Sequence, residues 1–223
     1  MHDMRELVFT SFCVSISYME KLVKQLISEE VLKTPSIINA FKTIDRADFV
    51  PSQYKAEAYN DIPLQTAGGQ TISQPYTVAF MIELLKPKKG NKIMDIGSGS
   101  GWQTALLSHI VGPTGKVFGI ELVPEIKKFG DENIGKYNFI EKGIVVNLQM
   151  SAEHGIAQEA PFDRIISGAS AKKILPAWKE QLKIDGRMVI PIQNSVWLFV
   201  KKDNNQFEET EYPGFAFVPF VST

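Results

Sequence analysis

The chain predicts an α/β fold, with a mostly parallel sheet, helices on both faces and an antiparallel edge. Three observations carry that prediction. From residue 92 onward, apolar segments of strand length alternate with helical patterns. A glycine turn, Asp95-Ile96-Gly97-Ser98-Gly99-Ser100-Gly101, follows the apolar pair Ile93-Met94 and opens a helical pattern. An acid, Glu121, then lies twenty residues beyond Gly101 at the end of the next strand candidate. Strand, glycine turn, helix and distal acid make up the Rossmann-like arrangement, in which backbone approaches a nucleotide and the acid meets ribose hydroxyls. A glycine run alone is equally an ordinary flexible turn, and only its setting promotes it to a binding loop.

Ahead of that core, Met19, Leu22, Val23, Leu26, Ile27 and Val31 recur at helical spacing. Thr34-Pro35 reads as the N-cap and first position of a second helix carrying Ile37, Ile38 and Phe41. Residues 45–75, broken by Pro51, Pro63, Gly68, Gly69 and Pro75, read as irregular. A loop of that length in a compact domain is functional or disordered. The apolar and aromatic content here (Phe49, Val50, Tyr54, Tyr59, Ile62, Leu64) argues against disorder. A helix is expected from about Tyr76 to Leu85, and further helices near Gly101–Ile110, Pro124–Tyr137 and Pro176–Leu182. Strands are expected near Lys92–Ile96, Lys116–Ile120, Gly143–Leu148, Arg164–Ser167, Arg187–Pro191 and Ser195–Lys201. Only the Gln193-Asn194 turn separates the last two, so they should pair antiparallel at a sheet edge. The organisation is an N-terminal extension, 1–18, followed by one domain over 19–223. Within it, 19–90 holds helices and a long loop, and 91–223 holds the α/β core.

The chain has 223 residues and a net charge of −1, so electrostatic capture of nucleic acid or of an anionic membrane finds no support. The basic run Lys86-Pro87-Lys88-Lys89 reads as a solvated loop. Cys13 is the one cysteine, which excludes an intrachain disulfide and favours a reducing compartment, the cytoplasm. No apolar stretch approaches the ~20 residues a membrane helix needs. Residues 1–17 lack the cationic start and clean apolar block of a signal peptide, and read as a disordered or misassigned extension. His2, His109 and His154 have no metal-ligand spacing with acids or Cys13, so no metal is expected. The glycine turn has no Walker lysine, and its central residue is Gly99 rather than a nucleophilic serine. Trp102, Trp178 and Trp197 read as packing residues.

Asp95 narrows the ligand. A pyrophosphate seeks bare N–H groups and a helix N-terminus, and a carboxylate at that turn repels it. S-adenosylmethionine (AdoMet) has no phosphate and carries a sulfonium and an ammonium, both cationic. The turn therefore favours AdoMet over NAD. The alternative role for Asp95 is a strand-end acid that caps the following helix.

Several strings resemble protein-L-isoaspartate O-methyltransferases. They are Arg46-Ala47-Asp48-Phe49-Val50-Pro51, Ala58-Tyr59-Asn60-Asp61-Ile62-Pro63-Leu64 and Gly69-Gln70-Thr71-Ile72-Ser73-Gln74-Pro75, together with the glycine turn, Ala160-Pro161-Phe162-Asp163, Gln181-Leu182-Lys183 and Phe217-Val218-Pro219. The likeness runs in order from about Met19 to the C-terminus. It implies an AdoMet-dependent methyltransferase fold. The implied activity is methyl transfer to the free carboxylate of L-isoaspartyl residues in damaged proteins and peptides, with S-adenosylhomocysteine as by-product. The ester then closes to a succinimide that reopens partly to normal aspartate. A monomer is expected. By position, the resemblance makes Ser73 the active-site serine and places Gln70, Thr71 and Ile72 over the methionine end of AdoMet. Asp95, Gly97, Gly99 and Ser100 fall beneath the ligand, Glu121 and Leu122 at the ribose, and Ser151 at the adenine. Asp61, Pro63 and Leu64 fall on the substrate side.

Three departures stand out. Gln65-Thr66-Ala67 replaces the family's Pro-Ile-Gly, Met150-Ser151-Ala152 replaces Gly-Asp-Gly at the adenine, and Ser167-Gly168-Ala169-Ser170 replaces Thr/Ser-Ala-Ala-Ala. The first leaves room for a relative acting on a dedicated peptide carboxylate, and the second for a non-catalytic AdoMet-binding module. Taken without the resemblance, Ser73 serves equally as a turn or helix-capping hydroxyl. Asp61 serves equally as an Asx-turn residue.

Overall fold

The computed structural model describes residues 18–66, 69–204 and 206–220; the proposed extension, through residue 17, lies outside them. Helix α1 is formed over 18–28. Of the positions that recur at helical spacing it buries Leu22, Val23 and Leu26, while Ile27 is 39% exposed. Tyr18, counted with the extension above, is already helical and stacks on Tyr59 at 6.2 Å. Helix α2 (Pro35–Thr43) starts at its proline with Thr34 as N-cap. The Thr34 hydroxyl does not cap the helix. It donates to Glu83 of α3 (Pro75–Leu85) at 2.7 Å, and the other Glu83 oxygen accepts the N–H groups of Lys33 and Thr34.

The main sheet has seven strands in the order β5-β4-β3-β6-β7-β8-β9. They are β3 (Lys92–Ile96), β4 (Lys116–Glu121), β5 (Val145–Gln149), β6 (Phe162–Ser167), β7 (Leu182–Ile192), β8 (Ser195–Lys201) and β9 (Phe207–Pro213). The pairs β3–β4, β4–β5, β3–β6 and β6–β7 are parallel. The β7–β8 hairpin is antiparallel, as its two-residue turn predicted, but it is not the edge, because β9 adds a third antiparallel strand outside β8. The reason β9 escapes sequence reading is its composition. Glu208, Glu209 and Glu211 keep a border strand soluble and unattractive to further strands, and they also erase the apolar alternation. A second element not anticipated is the two-stranded ribbon of β1 (Leu64–Gln65) and β2 (Thr71–Ile72), too short to show a period.

Successive residues of the central strands enter different cores. Ile93, Val117, Ile166 and Val189 pack with helices α2, α3, α4 (Trp102–Val111) and α5 (Pro124–Gly135). Their neighbours Met94, Phe118, Ile165 and Met188 pack on the opposite face with Ala152, Ile156 and Trp178 of α6 (Pro176–Glu180). Burial on both faces explains why these strands read as near-continuous apolar runs. Trp178 is fully buried and donates its indole N–H to the Ala152 carbonyl at 2.7 Å; Trp102 meets Phe41 edge-on, and Trp197 stacks on Phe199. Cations close the helix ends. Arg187 and Arg164 donate to the carbonyls of Leu84 and Lys86 at the C-terminal end of α3, and buried Lys201 donates to those of Lys179 and Glu180 in the last turn of α6 and of Leu182 just beyond it.

The chain turns from β3 to β4 on one side and reaches β6 on the other, so the carboxyl ends of β3 and β6 form a switch point, where α/β sheets bind ligands. The glycine turn sits there. Gly101 has φ +86°, and a Cβ on it would lie 2.7 Å from Ile134 and 3.0 Å from the Gly130 carbonyl of α5. Left-handed backbone and close helix approach both demand glycine. Gly101→Ala is expected to lower the unfolding free energy by about 2–4 kcal/mol, combining backbone strain and overpacking. Urea denaturation measures it, and an unchanged midpoint would mean that α5 yields to the extra methyl.

Candidate active site

The glycine turn is pinned to the neighbouring strand: the N–H groups of Gly97 and Ser98 both donate to the Ile120 carbonyl, at 2.9 and 3.0 Å. Glu121, at the end of β4, holds the turn from the other side. One carboxylate oxygen accepts the Gly99 N–H at 3.1 Å and the other the Val123 N–H at 3.0 Å. Ser98 is braced further out. Its hydroxyl donates to Asn147, whose amide donates to Asp131, which pairs with Lys127. No spacing rule announces that chain of contacts, because it joins three separate elements.

Two cavities border this turn, and a third adjoins them through Thr71 and Ser73. The main cleft is walled by Gly97, Gly99, Glu121, Leu122, Gln70 and Thr71, by Met150 and Ala152, and by Gly168, Ala169 and Val218 to Phe220. A smaller recess lies among Ile72, Ser73, Gly97, Gly99, Ser100, Trp102 and Gln103. An outer groove is formed by Pro63, Ser73, Gln74, Tyr76, Phe215 and Phe217. Thr71 borders all three, and Ser73 borders the recess and the groove. Strand β2 and Ser73 therefore form the partition between the glycine turn and the outside. Among the described residues, no lysine or arginine lines any of these cavities. A cleft with one carboxylate, a glycine floor and no cation fits a nucleoside without phosphates, and the fit extends to AdoMet.

Ser73 is half-buried, and its hydroxyl makes no hydrogen bond to a described residue. It does not cap α3; Gln74 occupies the N-cap position. The capping carboxylate comes from Asp61, which accepts the Tyr76 N–H at 2.7 Å and the Gln74 side-chain amide at 2.9 Å. That contact spans fifteen residues of sequence and leaves the Ser73 hydroxyl free. Asp61 consequently lies outside the cavity walls, and Leu64, 4% exposed, belongs to the core. Of the three substrate-side residues expected, Pro63 is the one in the groove.

Asp95 and Ser151 also differ from expectation. Asp95 is fully buried and lines none of these cavities. One oxygen accepts the Gln103 amide at 2.7 Å and the other the Thr104 hydroxyl at 2.6 Å. Burial raises its pKa to about 6, with those two bonds opposing and Glu121 adding to the rise. Ser151 faces its own turn, its hydroxyl 3.4 Å from the Glu153 N–H, while Met150 and Ala152 on either side form the wall.

The residue that sequence reading missed is Arg46. It is 1% exposed and donates to the carbonyls of Ala58, Asn60, Ile62 and Ser73, at 2.8 to 3.2 Å, above the ring of Trp102. Burial pulls its pKa down to about 10, against the pull of Asp61, so it stays charged near neutrality.

Sheet order, the glycine turn, the acid at the end of β4 and a cleft without a described cation define an AdoMet-dependent methyltransferase fold. Residues 17–223 match the model of the protein-L-isoaspartate(D-aspartate) O-methyltransferase family, and the chain belongs to that family. It is 35% identical over 206 residues to the protein-L-isoaspartate O-methyltransferase of Methanopyrus kandleri, covering 91% of this chain and 90% of that one. It is 39% identical over 199 residues to the Flavobacterium psychrophilum enzyme of the same name, covering 88% and 91%. A solved protein-L-isoaspartate O-methyltransferase superposes with a TM-score of 0.83 at 26% identity, over 92% of this chain and 66% of that one. A Plasmodium falciparum protein described as a β-aspartate methyltransferase, solved with S-adenosyl-L-homocysteine, shares the fold. Its TM-score is 0.81 at 22% identity, covering 90% and 97%.

The raised pKa of Asp95 sets a sign. The folded state holds this proton more tightly than the unfolded state, so the ionised form costs stability above about pH 6 and the cost fades toward the unfolded value of 3.8. Measured against Asp95→Asn, wild type should therefore gain relative stability as pH falls from 7 to 5. A urea-denaturation difference that stays flat over this range would contradict the assignment.

Proposed function

We propose that the chain transfers the methyl group of AdoMet to the free carboxylate of L-isoaspartyl residues in damaged proteins and peptides, and that it does so as a cytoplasmic monomer. The observation that carries this reading is the partition at Ser73, with a phosphate-free nucleoside cleft on one side and a half-apolar groove on the other. The working unit is residues 19–223, with 19–90 supplying the loop that bears Ser73 and 91–223 the AdoMet-binding core. No helix among the described residues is long and apolar enough to cross a membrane.

Bound AdoMet supplies an electrophilic methyl group on a sulfonium. The substrate carboxylate is ionised at neutral pH, since model carboxyl pKa values lie near 4, so no general base is required. What remains is alignment, which can contribute roughly 7–11 kcal/mol. Glu121, whose oxygens already accept two backbone N–H groups, has lone pairs left for ribose hydroxyls. Gly97 and Gly99 form the floor, Leu122, Met150 and Ala152 the base end, and Gln70, Thr71, Ile72 and Ser100 the walls toward the methionine end. The free Ser73 hydroxyl donates to the substrate carboxylate and aims one oxygen. Arg46 fixes the Ser73 backbone from below, and Pro63, Tyr76, Phe215 and Phe217 hold the peptide around the isoaspartyl residue.

The test is methyl transfer from labelled AdoMet to an isoaspartyl peptide and to its normal aspartyl twin. Only the first should be methylated, and calorimetry should show S-adenosylhomocysteine binding more tightly than NADH. Equal labelling of both peptides would remove the substrate assignment. Ser73→Ala should cut turnover at least tenfold while S-adenosylhomocysteine affinity holds, because donors of this kind contribute about 3–4 kcal/mol when buried. An unchanged rate would take Ser73 out of the chemistry.

A further inference from the structure

Gln103 occupies the first turn of α4 and lines the recess beside Ser73 and Ser100. Its amide has a donor end and an acceptor end, and the structure determines which end is committed. Nε2 donates to Asp95 at 2.7 Å. A carboxylate only accepts, so Asp95 permits one orientation of that amide and rejects the flipped one. Asp95 is itself immobile, fully buried with its second oxygen held by Thr104 at 2.6 Å. The carbonyl Oε1 of Gln103 is thereby left as an oriented acceptor, with no partner among the described residues.

The recess shares Thr71, Gly97, Gly99 and Gly168 with the main cleft but not Glu121. A nucleoside with its ribose at Glu121 could extend its 5′ substituent across the shared glycine floor into the recess that Gln103 lines. In AdoMet that substituent ends in an α-amino acid, whose ammonium is a cationic donor. We infer that Gln103 reads this ammonium, its Oε1 aimed by Asp95, so that the buried carboxylate acts on the ligand through an amide relay and not by contact. The inference rests on the AdoMet reading above. It also accounts for a glycine-turn acid that touches no cavity, and it makes Gln103 a specificity residue for the amino-acid end of the ligand.

Calorimetry on the full chain tests it with two ligands: S-adenosylhomocysteine and S-adenosyl-4-thiobutyrate, which is the same molecule without the ammonium. Wild type should prefer the first. Gln103→Leu, and Gln103→Met as a closer match in shape, should weaken S-adenosylhomocysteine about tenfold and leave the deaminated ligand within twofold. Asp95→Asn, which no longer dictates the amide orientation, should lose part of the same preference. A residue that only supports the fold would weaken both ligands alike, so parallel losses, or no loss in either Gln103 variant, overturn the inference. Failure of wild type to bind either ligand would overturn the AdoMet reading beneath it and is distinguishable from both.

Discussion

One buried guanidinium organises the irregular segment that leads into α3. Arg46 is almost fully removed from water and faces four backbone carbonyls, from Ala58, Asn60, Ile62 and Ser73, without a carboxylate in hydrogen-bond reach. Burying a charge is unfavourable unless it is well solvated by fixed dipoles. Here the dipoles are the carbonyls of an irregular segment that could not otherwise satisfy them. Those carbonyls meet only the terminal nitrogens of the guanidinium, and its Nε–H stays buried without a partner among the described residues. The surrounding turn is closed by further polar contacts: Tyr137 donates to Asp48 and accepts the Asp45 N–H, and Tyr59 donates to Asp45.

The consequence falls on Ser73. Arg46 takes its carbonyl, Asp61 takes over the capping of α3, and the hydroxyl is left uncommitted at the boundary of two cavities. A free hydroxyl on an immobilised backbone is what an alignment mechanism calls for, since the group must point at a carboxylate without first breaking a bond of its own. The opposite strategy operates under the nucleoside. Glu121 already accepts one backbone N–H on each oxygen, so the acid proposed to meet the ribose also ties the end of β4 to the glycine floor.

Much of this was legible in the residues and part was not, and the difference is physical. Strands buried on both faces, helices with one buried face, and a glycine turn with an acid at fixed distance are local or periodic, so sequence displays them. Glu121, Gly97, Gly99, Thr71 and Ser73 were found on that basis or by likeness to known strings, and they do meet around the cavities. Long-range pairings of polar groups leave no period. Asp61 caps a helix fifteen residues away, Arg46 reaches four carbonyls across twenty-seven residues, and Ser98 leans on Asn147. β9 was hidden because an edge strand is protected by charge, and β1 and β2 because two residues have no alternation.

Asp95 is the instructive case between these extremes. Its position after an apolar strand and before three glycines marked it as part of a ligand site, and its charge suggested contact with a cation. Burial decides otherwise. A carboxylate that loses its water must be hydrogen-bonded or protonated, and the first turn of α4 offers Gln103 and Thr104, eight and nine residues on, as the nearest donors. Even with both bonds its pKa remains raised, so the negative charge is held at a cost in folding free energy. A charge retained on those terms, one residue removed from a recess that no described lysine or arginine lines, biases the local potential toward cationic ligands even without touching them. The same field disfavours phosphates at the glycine turn. One aspartate behind the floor thus separates this site from the pyrophosphate-binding version of the same strand–turn–helix unit.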